Sequence, residues 1–390
     1  MPLSSFRHDN PESPAQSLYY LVTPAGFPNF GDDLIAAAWL EYLAEHAPHA
    51  EVWLDTHSPG QARVLLDGLH PGLRVTDTLW QLSAAAPSSQ AWQLGSWVQA
   101  AVENPGMVPR LHHGIMLLWR AEVVHVLGGG YINALWPRHI GLLAGVAAAV
   151  RRSGGRAAMT GHGLLPVVED GASLLTSLAG RFDIAEARDA ESAGMLGIEQ
   201  GVDDAFLAIG RLGVADVAAT WPDGDAPDVF LCVQGDLVDE GVNALAGRVW
   251  ELLQGWRVAP ERVCFVEGIP GTDREVFALL ERELPGARFY PFADVWDSGL
   301  PAAPGQTWIS TRFHVHLMAA AAGAAGVAVP VKPGYYTVKH RSLVELGSGW
   351  HILDGSGGVV ERPSGAGFAT EDVARLRQAK LDLAKRVYGC

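Results

Sequence analysis

The chain has 390 residues, 48% of them apolar and 18% charged, which is long enough for two or three folding units and too apolar for a disordered polypeptide. Acidic residues outnumber basic ones 43 to 28, giving a net charge of −15. That balance argues against nucleic acid or an anionic membrane surface as the main partner, while an anionic small substrate stays open because a site answers to its local charges. Residues 1–17 are polar, rich in Pro and Ser, and read as a flexible leader without the apolar run of a signal peptide. The longest apolar stretch, Leu317 to Val331, is broken by Gly323, Gly326 and Pro330, so no integral membrane segment is expected. Cys232, Cys264 and Cys390 are odd in number and lack metal-ligand spacing, which points to reduced thiols in a cytoplasmic protein.

In chain order, short apolar runs alternate with amphipathic segments, the pattern of βα units around parallel sheets. A strand at Leu18–Thr23 is followed by the turn AGFPNFG and by a helix with Ile35, Trp39, Tyr42 and Leu43 on one face. Asp32 and Asp33 occupy its first turn, where negative charge suits the helix dipole. Strands are expected at Glu51–Leu54, Glu122–Leu127, Arg156–Thr160 and Phe182–Ala187, with a helix over His139–Arg152. Residues 210–228, rich in Gly, Pro and Asp, read as an interdomain linker. The alternation then restarts with strands at Val229–Val233, Arg262–Glu267, Ala287–Tyr290, Trp308–Ser310 and Val327–Val331. Helices are expected at Asp239–Leu253, at Asp273–Glu283 and from about Arg312. Val373, Leu376, Leu383 and Val387 share one helical face and mark a C-terminal helix. Two α/β units joined by a linker are the result, at 18–212 and 228–368 around a linker at 213–227, with a helix at 369–390. A ligand is expected in the cleft between them.

Four segments at strand ends carry chemistry. Asn29-Phe30-Gly31-Asp32 opens a helix, and its glycine leaves backbone N–H groups open to hydroxyl or anionic groups; the plain alternative is an ordinary βα turn. Gly128-Gly129-Gly130 leaves the backbone bare as a ligand cradle or a tight turn, and lacks the G-x-G-x-x-G spacing of a dinucleotide site. In Gly161-His162-Gly163, His162 either meets a ligand or is a loop histidine satisfied by backbone. In Ser310-Thr311-Arg312-Phe313-His314-Val315-His316, Ser310 or Thr311 can cap a helix whose N–H groups add to Arg312 as an anion site. On a regular helix Arg312 and His316 share a face, so Arg312 and His314 reach one ligand only if Arg312 lies at or before the first turn. Lys332, Lys339, His340 and Arg341 gather further positive charge nearby. CxxC, GxSxG and P-loop patterns are lacking, which weakens zinc-enzyme, hydrolase and kinase readings, and no bound metal is expected.

Taken in order, these pieces resemble the polysaccharide pyruvyl transferase family from about Tyr20 to Gly347. The matching residues are the NFGD turn with Leu34-Ile35, the triple glycine, Gly161-x-Gly163-x-x-Pro166, and Arg188-Asp189-x-x-Ser192 with Leu196-Gly197-Ile198. Asp204-Ala205-Phe206, Ser310-x-Arg312-x-His314, Tyr336-x-x-Lys339 and Leu346-Gly347 complete the set. His162 stands where many relatives carry Gln. The resemblance implies two Rossmann-like domains in a GT-B-like arrangement, the first on the acceptor side and the second on the donor side. It implies transfer of pyruvate from phosphoenolpyruvate to two hydroxyls of a sugar in a glycan or glycolipid, forming a ketal without a further cofactor. In that reading His314 is the general acid, and Arg312 and Lys339 hold the donor's anionic groups. Gly129, Gly130, Gly163 and His162 complete the donor site, and Asn29 and Asp32 meet the acceptor. Self-association is left open. A GT-B nucleotide-sugar glycosyltransferase and a noncatalytic glycan-binding protein of the same fold are the alternatives.

Overall fold

The computed structural model describes residues 16–222, 224–353 and 361–390; most of the expected leader therefore lies outside the described residues. The first half is a seven-stranded sheet of β1 (Leu18–Val22), β2 (Glu51–Asp55), β3 (Leu73–Thr76), β4 (Val123–Val126), β5 (Arg156–His162), β6 (Ile184–Ala187) and β7 (Glu199–Gln200). The second is a six-stranded sheet of β8 (Val229–Cys232), β9 (Val263–Val266), β10 (Arg288–Tyr290), β11 (Thr307–Ser310), β12 (Ala325–Ala328) and β13 (His351–Ile352). Every described pairing within the two sheets is parallel. Their orders, β3-β2-β1-β4-β5-β6-β7 and β10-β9-β8-β11-β12-β13, are the same doubly wound order used twice. These are the two Rossmann-like domains of the expected α/β fold.

In each sheet the order reverses at one pair of neighbours, β1 and β4 in the first and β8 and β11 in the second. Crossover helices leave opposite faces at that point, so a crevice opens beyond the carboxyl ends of the strands. The NFGD turn and the triple glycine follow β1 and β4; Gln234-Gly235-Asp236 and the Arg312 segment follow β8 and β11. The two crevices face one another across a cavity lined by both.

The helix Phe30–His46 shows why the sequence pattern reads only part of the packing. Its four spaced apolar residues are all buried, as expected, but so are Ala36, Ala37, Ala38 and Leu40. It lies between its own sheet, the helix Phe313–Ala321 of the second half and the C-terminal helix, so it has no fully solvated face. The C-terminal helix Thr370–Tyr388 returns to the first half. Tyr388 meets the rings of Tyr19 and Trp39 and bonds the His125 ring at 2.8 Å. Lys380, fully buried, pairs with Asp204 at 2.9 Å and with Glu186. A buried ion pair is costly to break, so this contact fixes the end of the chain against the glycine loops. Asp204 completes the link by accepting from the Gly128 N–H, the Thr160 hydroxyl and the Trp39 indole.

The segment read as a linker is mostly exposed or half-buried and is anchored at a few points. Asp216 caps the short helix Val217–Thr220, Val214 bridges to Leu300, and Trp221 lies on the rings of Phe230 and Tyr290. Helices at Thr78–Ala85, Ala91–Glu103 and Pro333–Glu345 and the strand β3 carry no expectation from the sequence pattern. Among the described residues no helix is long and apolar enough to cross a membrane.

Candidate active site between the two sheets

The cavity between the halves has a volume of about 290 Å³. Of the residues expected to form a site, Asn29, Asp32, Gly130, Arg312, His314 and Lys339 line it. Gly129, Gly163 and His162 lie outside the lining.

Arg312 and His314 converge because Arg312 is not in the helix. It is the N-cap residue, with extended backbone (φ −88°, ψ 124°), and the helix begins at Phe313. The helical wheel that pairs Arg312 with His316 therefore does not apply. Neither Ser310 nor Thr311 caps this helix: the Ser310 hydroxyl accepts from the Arg312 N–H, and the Thr311 hydroxyl accepts from the Gln234 N–H. The amides of Phe313, His314 and Val315 have no acceptor among the described residues, and all three residues line the cavity. Three free N–H groups at the positive end of a helix form an anion site. His316 turns to the core, between His340, Ser348 and the Trp350 ring.

Arg312 is held as well as exposed to the cavity. Its Nε lies 3.1 Å from Asp273 Oδ1 and its Nη2 3.0 Å from Asp236 Oδ1, leaving Nη1 without a hydrogen-bond partner among the described residues. The expected donor clamp is thus largely neutralised by two carboxylates. Arg188, part of the resemblance but given no role in the sequence reading, also lines the cavity. Buried beneath the cavity, Arg188 donates from Nη1 to Asp203 at 2.7 Å and lies 4.0 Å from the centre of the Phe313 ring. Its Nε has no partner among the described residues.

His314 Nε2 stands 3.3 Å from Asp203 Oδ1, within ion-pair range but without hydrogen-bond alignment. Burial would raise the Asp203 carboxyl, but the charges of His314 and Arg188 outweigh it and hold the group well below the usual carboxylate range. Asp203 is therefore a permanent anion beside the two. The other side of the His314 ring faces Gly31, where a Cβ would overlap the imidazole. Gly31 admits a histidine from the opposite domain and itself lines the cavity.

Of the basic cluster at 332–341, only Lys339 enters the cavity, because these residues lie on the helix Pro333–Glu345 and diverge around it. Lys332 pairs with Asp239, Arg341 faces Glu191, and His340 is buried against His316. Lys339 Nζ lies 3.3 Å from the centre of the Tyr335 ring and has no carboxylate within ion-pair distance among the described residues. Burial, then the charge of Arg188, pushes its pKa well below the usual lysine value, against the pull of Asp32 and Asp203. Gly130 is a glycine for this lysine: a Cβ there would overlap Nζ.

The remaining glycines bond one another. Gly163 N–H donates to Gly129 O at 3.0 Å and Gly129 N–H to Gly161 O at 3.4 Å, so neither N–H points to a ligand. Gly163 also gives room to Arg188, whose Nε would lie 2.9 Å from a Cβ. His162 is fully buried, its Nε2 3.4 Å from Val126 O and its ring against Tyr131, which does line the cavity. Burial lowers its pKa to about 4, so it is neutral in the fold and cannot supply a positive charge to a donor.

On the opposite wall, Asn29 Oδ1 accepts from Gly31 N–H and its Nδ2 donates to Asp32 at 2.9 Å. Asn29 thereby orients Asp32, and its second Nδ2–H and second Oδ1 lone pair are not used by these two bonds. Asp32 is pushed up by burial, with His314, Lys339 and Arg188 opposing. Asp33 is structural: it accepts from the Gly26 and Asn29 N–H groups.

Solved structures of similar chain path include UDP-GlcNAc 2-epimerase from Neisseria meningitidis bound to UDP-GlcNAc (10% identity, 96% of this chain and 93% of that one, TM-score 0.48). Others are S. aureus MnaA with UDP (11%, 96% and 90%, 0.49) and Anabaena HepE with UDP-glucose (15%, 95% and 95%, 0.47). Comparison with curated proteins gives no significant match. The family profile of polysaccharide pyruvyl transferase matches residues 29–333, from the NFGD turn to the start of the Lys339 helix. That span holds Asn29, Asp32, Gly130, Arg188, Arg312 and His314, and the chain belongs to the polysaccharide pyruvyl transferase family, a family of transferases.

Proposed function

We propose that this cavity moves the pyruvyl group of phosphoenolpyruvate to two hydroxyls of a sugar in a glycan or glycolipid, forming a ketal and releasing phosphate. The observation that carries the reading is the uncapped helix end at Phe313–Val315 beside Arg188 and the unpaired Lys339. A donor with a phosphate and a carboxylate needs separate anion sites. The helix N–H groups suit one, and Lys339 with the free edges of Arg188 and Arg312 suits the other. A bound dianion would also restore the full charge of Lys339.

His314 would donate a proton to C3 of the donor, making C2 electrophilic. A sugar hydroxyl then adds to C2, its proton passing to Asp32. The C2–O bond to phosphate breaks with its electron pair as the second hydroxyl closes the ketal, and the second hydroxyl proton leaves with phosphate. His314 needs the Asp203 anion at its side to hold its ring in place, the arrangement by which an acid is oriented for transfer. Among the described residues no group of three or more His, Cys, Asp or Glu is placed to hold a metal ion.

The test is thermal unfolding with phosphoenolpyruvate and, separately, with UDP. Phosphoenolpyruvate at a hundredfold excess over Kd should stabilise the fold by about 2.7 kcal/mol. Stabilisation by UDP alone would replace the reading with a nucleotide-sugar transferase, and silence with both would favour a noncatalytic glycan binder. Incubation with phosphoenolpyruvate and a panel of hexosides, followed by mass, should show the added pyruvyl group.

A further inference from the structure

The cations occupy only one end of the cavity. The other end is aromatic, and the pyruvyl-transfer reading does not use it. Phe27, in the turn before the first helix, is 64% exposed at the mouth, and its ring lies 5.9 Å from that of His57 beyond β2. His57 and His139 each meet the buried Trp80 edge-on, at 4.9 and 4.8 Å. Trp136 lies parallel to His139 (interplanar angle 3°) and 6.1 Å from Tyr335, whose ring carries Lys339. The result is an arc of rings from the mouth to the cation, drawn from three loops and the helix Thr78–Ala85 of the first half and one helix of the second.

Burying a large aromatic is favourable, so a phenylalanine left exposed at a cavity mouth against one ring only points to a missing partner. The partner's chemistry follows from the neighbours. A flat apolar ligand would find no use for Asp32 and the cations in the same cavity, and a charged ligand none for the rings. A pyranose suits both. One face of its ring presents polarised C–H bonds to an aromatic surface, while its hydroxyls project from the edge. We infer that Phe27, His57 and Trp136 form the acceptor subsite, stacking one hexopyranose of the glycan so that its hydroxyls face Asp32 and the donor. This inference rests on the pyruvyl-transfer reading for the donor half alone.

Saturation-transfer NMR on the whole chain, with the methyl β-glycosides of glucose, galactose and mannose as probes, tests it with and without phosphoenolpyruvate. The expected result is saturation concentrated on the ring C–H protons of one face for at least one glycoside, falling severalfold in Phe27→Ala or Trp136→Ala and kept in Trp136→Phe. For a glycoside that turns over, those alanine variants should raise the acceptor KM by about tenfold, roughly 1.4 kcal/mol, and leave the KM for phosphoenolpyruvate within twofold. No saturation of any of the three glycosides in the wild-type chain, or saturation undiminished in both alanine variants, overturns the inference. Phe27 is exposed, so its variant guards against loss of the fold. Thermal shifts with phosphoenolpyruvate, run in parallel, judge the donor reading separately: their absence would remove that reading, while the spectra without phosphoenolpyruvate still decide the stacking.

Discussion

Two helix ends meet in this cavity, and they are built in opposite ways. The helix Phe30–His46 starts with a side-chain cap from Asn29 and with Asp32 and Asp33 in its first turn. The helix Phe313–Ala321 starts with no side-chain cap, no acid in its first turn, and three cationic side chains around it. A capped, acidic helix end has its N–H groups satisfied and its dipole offset, so it repels an anion and presents a carboxylate. An uncapped end keeps both for a ligand. The same fold therefore yields a carboxylate wall in one domain and an anion site in the other. Gly31 is what allows the two ends to close on His314.

Removing His314 should break the contrast most severely. His314→Ala is expected to lower ketal formation by about 10²–10⁴-fold with the fold retained, measured as phosphate release and circular dichroism. Turnover undiminished in that variant would take the acid role away from the uncapped end. Lys339→Ala should raise the KM for phosphoenolpyruvate by roughly 10–100-fold, the scale of one charged hydrogen bond, and leave the acceptor KM in place. An equal rise in both KM values would mean that the cation serves the cavity as a whole and that the donor is not confined to one end.

A third change sharpens what lies behind the glycine loops. His162 has a folded pKa of about 4, below the value near 6.5 of an unfolded histidine. Its share of stability is therefore whole above pH 6.5 and is lost as pH falls towards 4. In His162→Gln the loss of unfolding free energy between pH 7 and pH 5 should shrink by about 2 kcal/mol, read from denaturant midpoints at each pH. An unchanged acid slope would show that His162 is not held neutral. The smallest effect belongs to the cap itself. Asn29→Ala should cost about 1 kcal/mol of stability and weaken the acceptor more than the donor, because Asp32 loses its 2.9 Å hydrogen bond. A larger change in phosphoenolpyruvate affinity than in acceptor affinity would reverse the assignment of the two walls.

Much of the fold is legible because it depends on neighbours in the chain. The central strands, the crossover helix Ile140–Ser153 and the terminal helix follow from short-range periodicity, and their observed bounds differ from the expected ones by a residue or two in most cases. The strand expected at Val327–Val331 is instead Ala325–Ala328, because alanines and a glycine pair with β11 there while Pro330 cannot donate to a ladder. β3 and the helix Pro333–Glu345 escape notice: the first is four residues long and half exposed, and the second lacks a single apolar face.

The sequence by itself determined the family, the parallel α/β plan and the presence of His314 and Arg312 at one turn, since each is written in contiguous residues. Only the tertiary structure decided that Arg188 and Lys339 share a cavity, that Asp203 serves the site while Asp204 serves the scaffold, and that Arg312 is already occupied by Asp273. It also decided that His162 and His316 are buried, and that an arc of rings from both halves faces the cations. The physical reason is the same in each case. Burial, ion pairing and close approach are set by groups far apart in the chain, and no local pattern encodes which of them will face each other once two sheets close on one cleft.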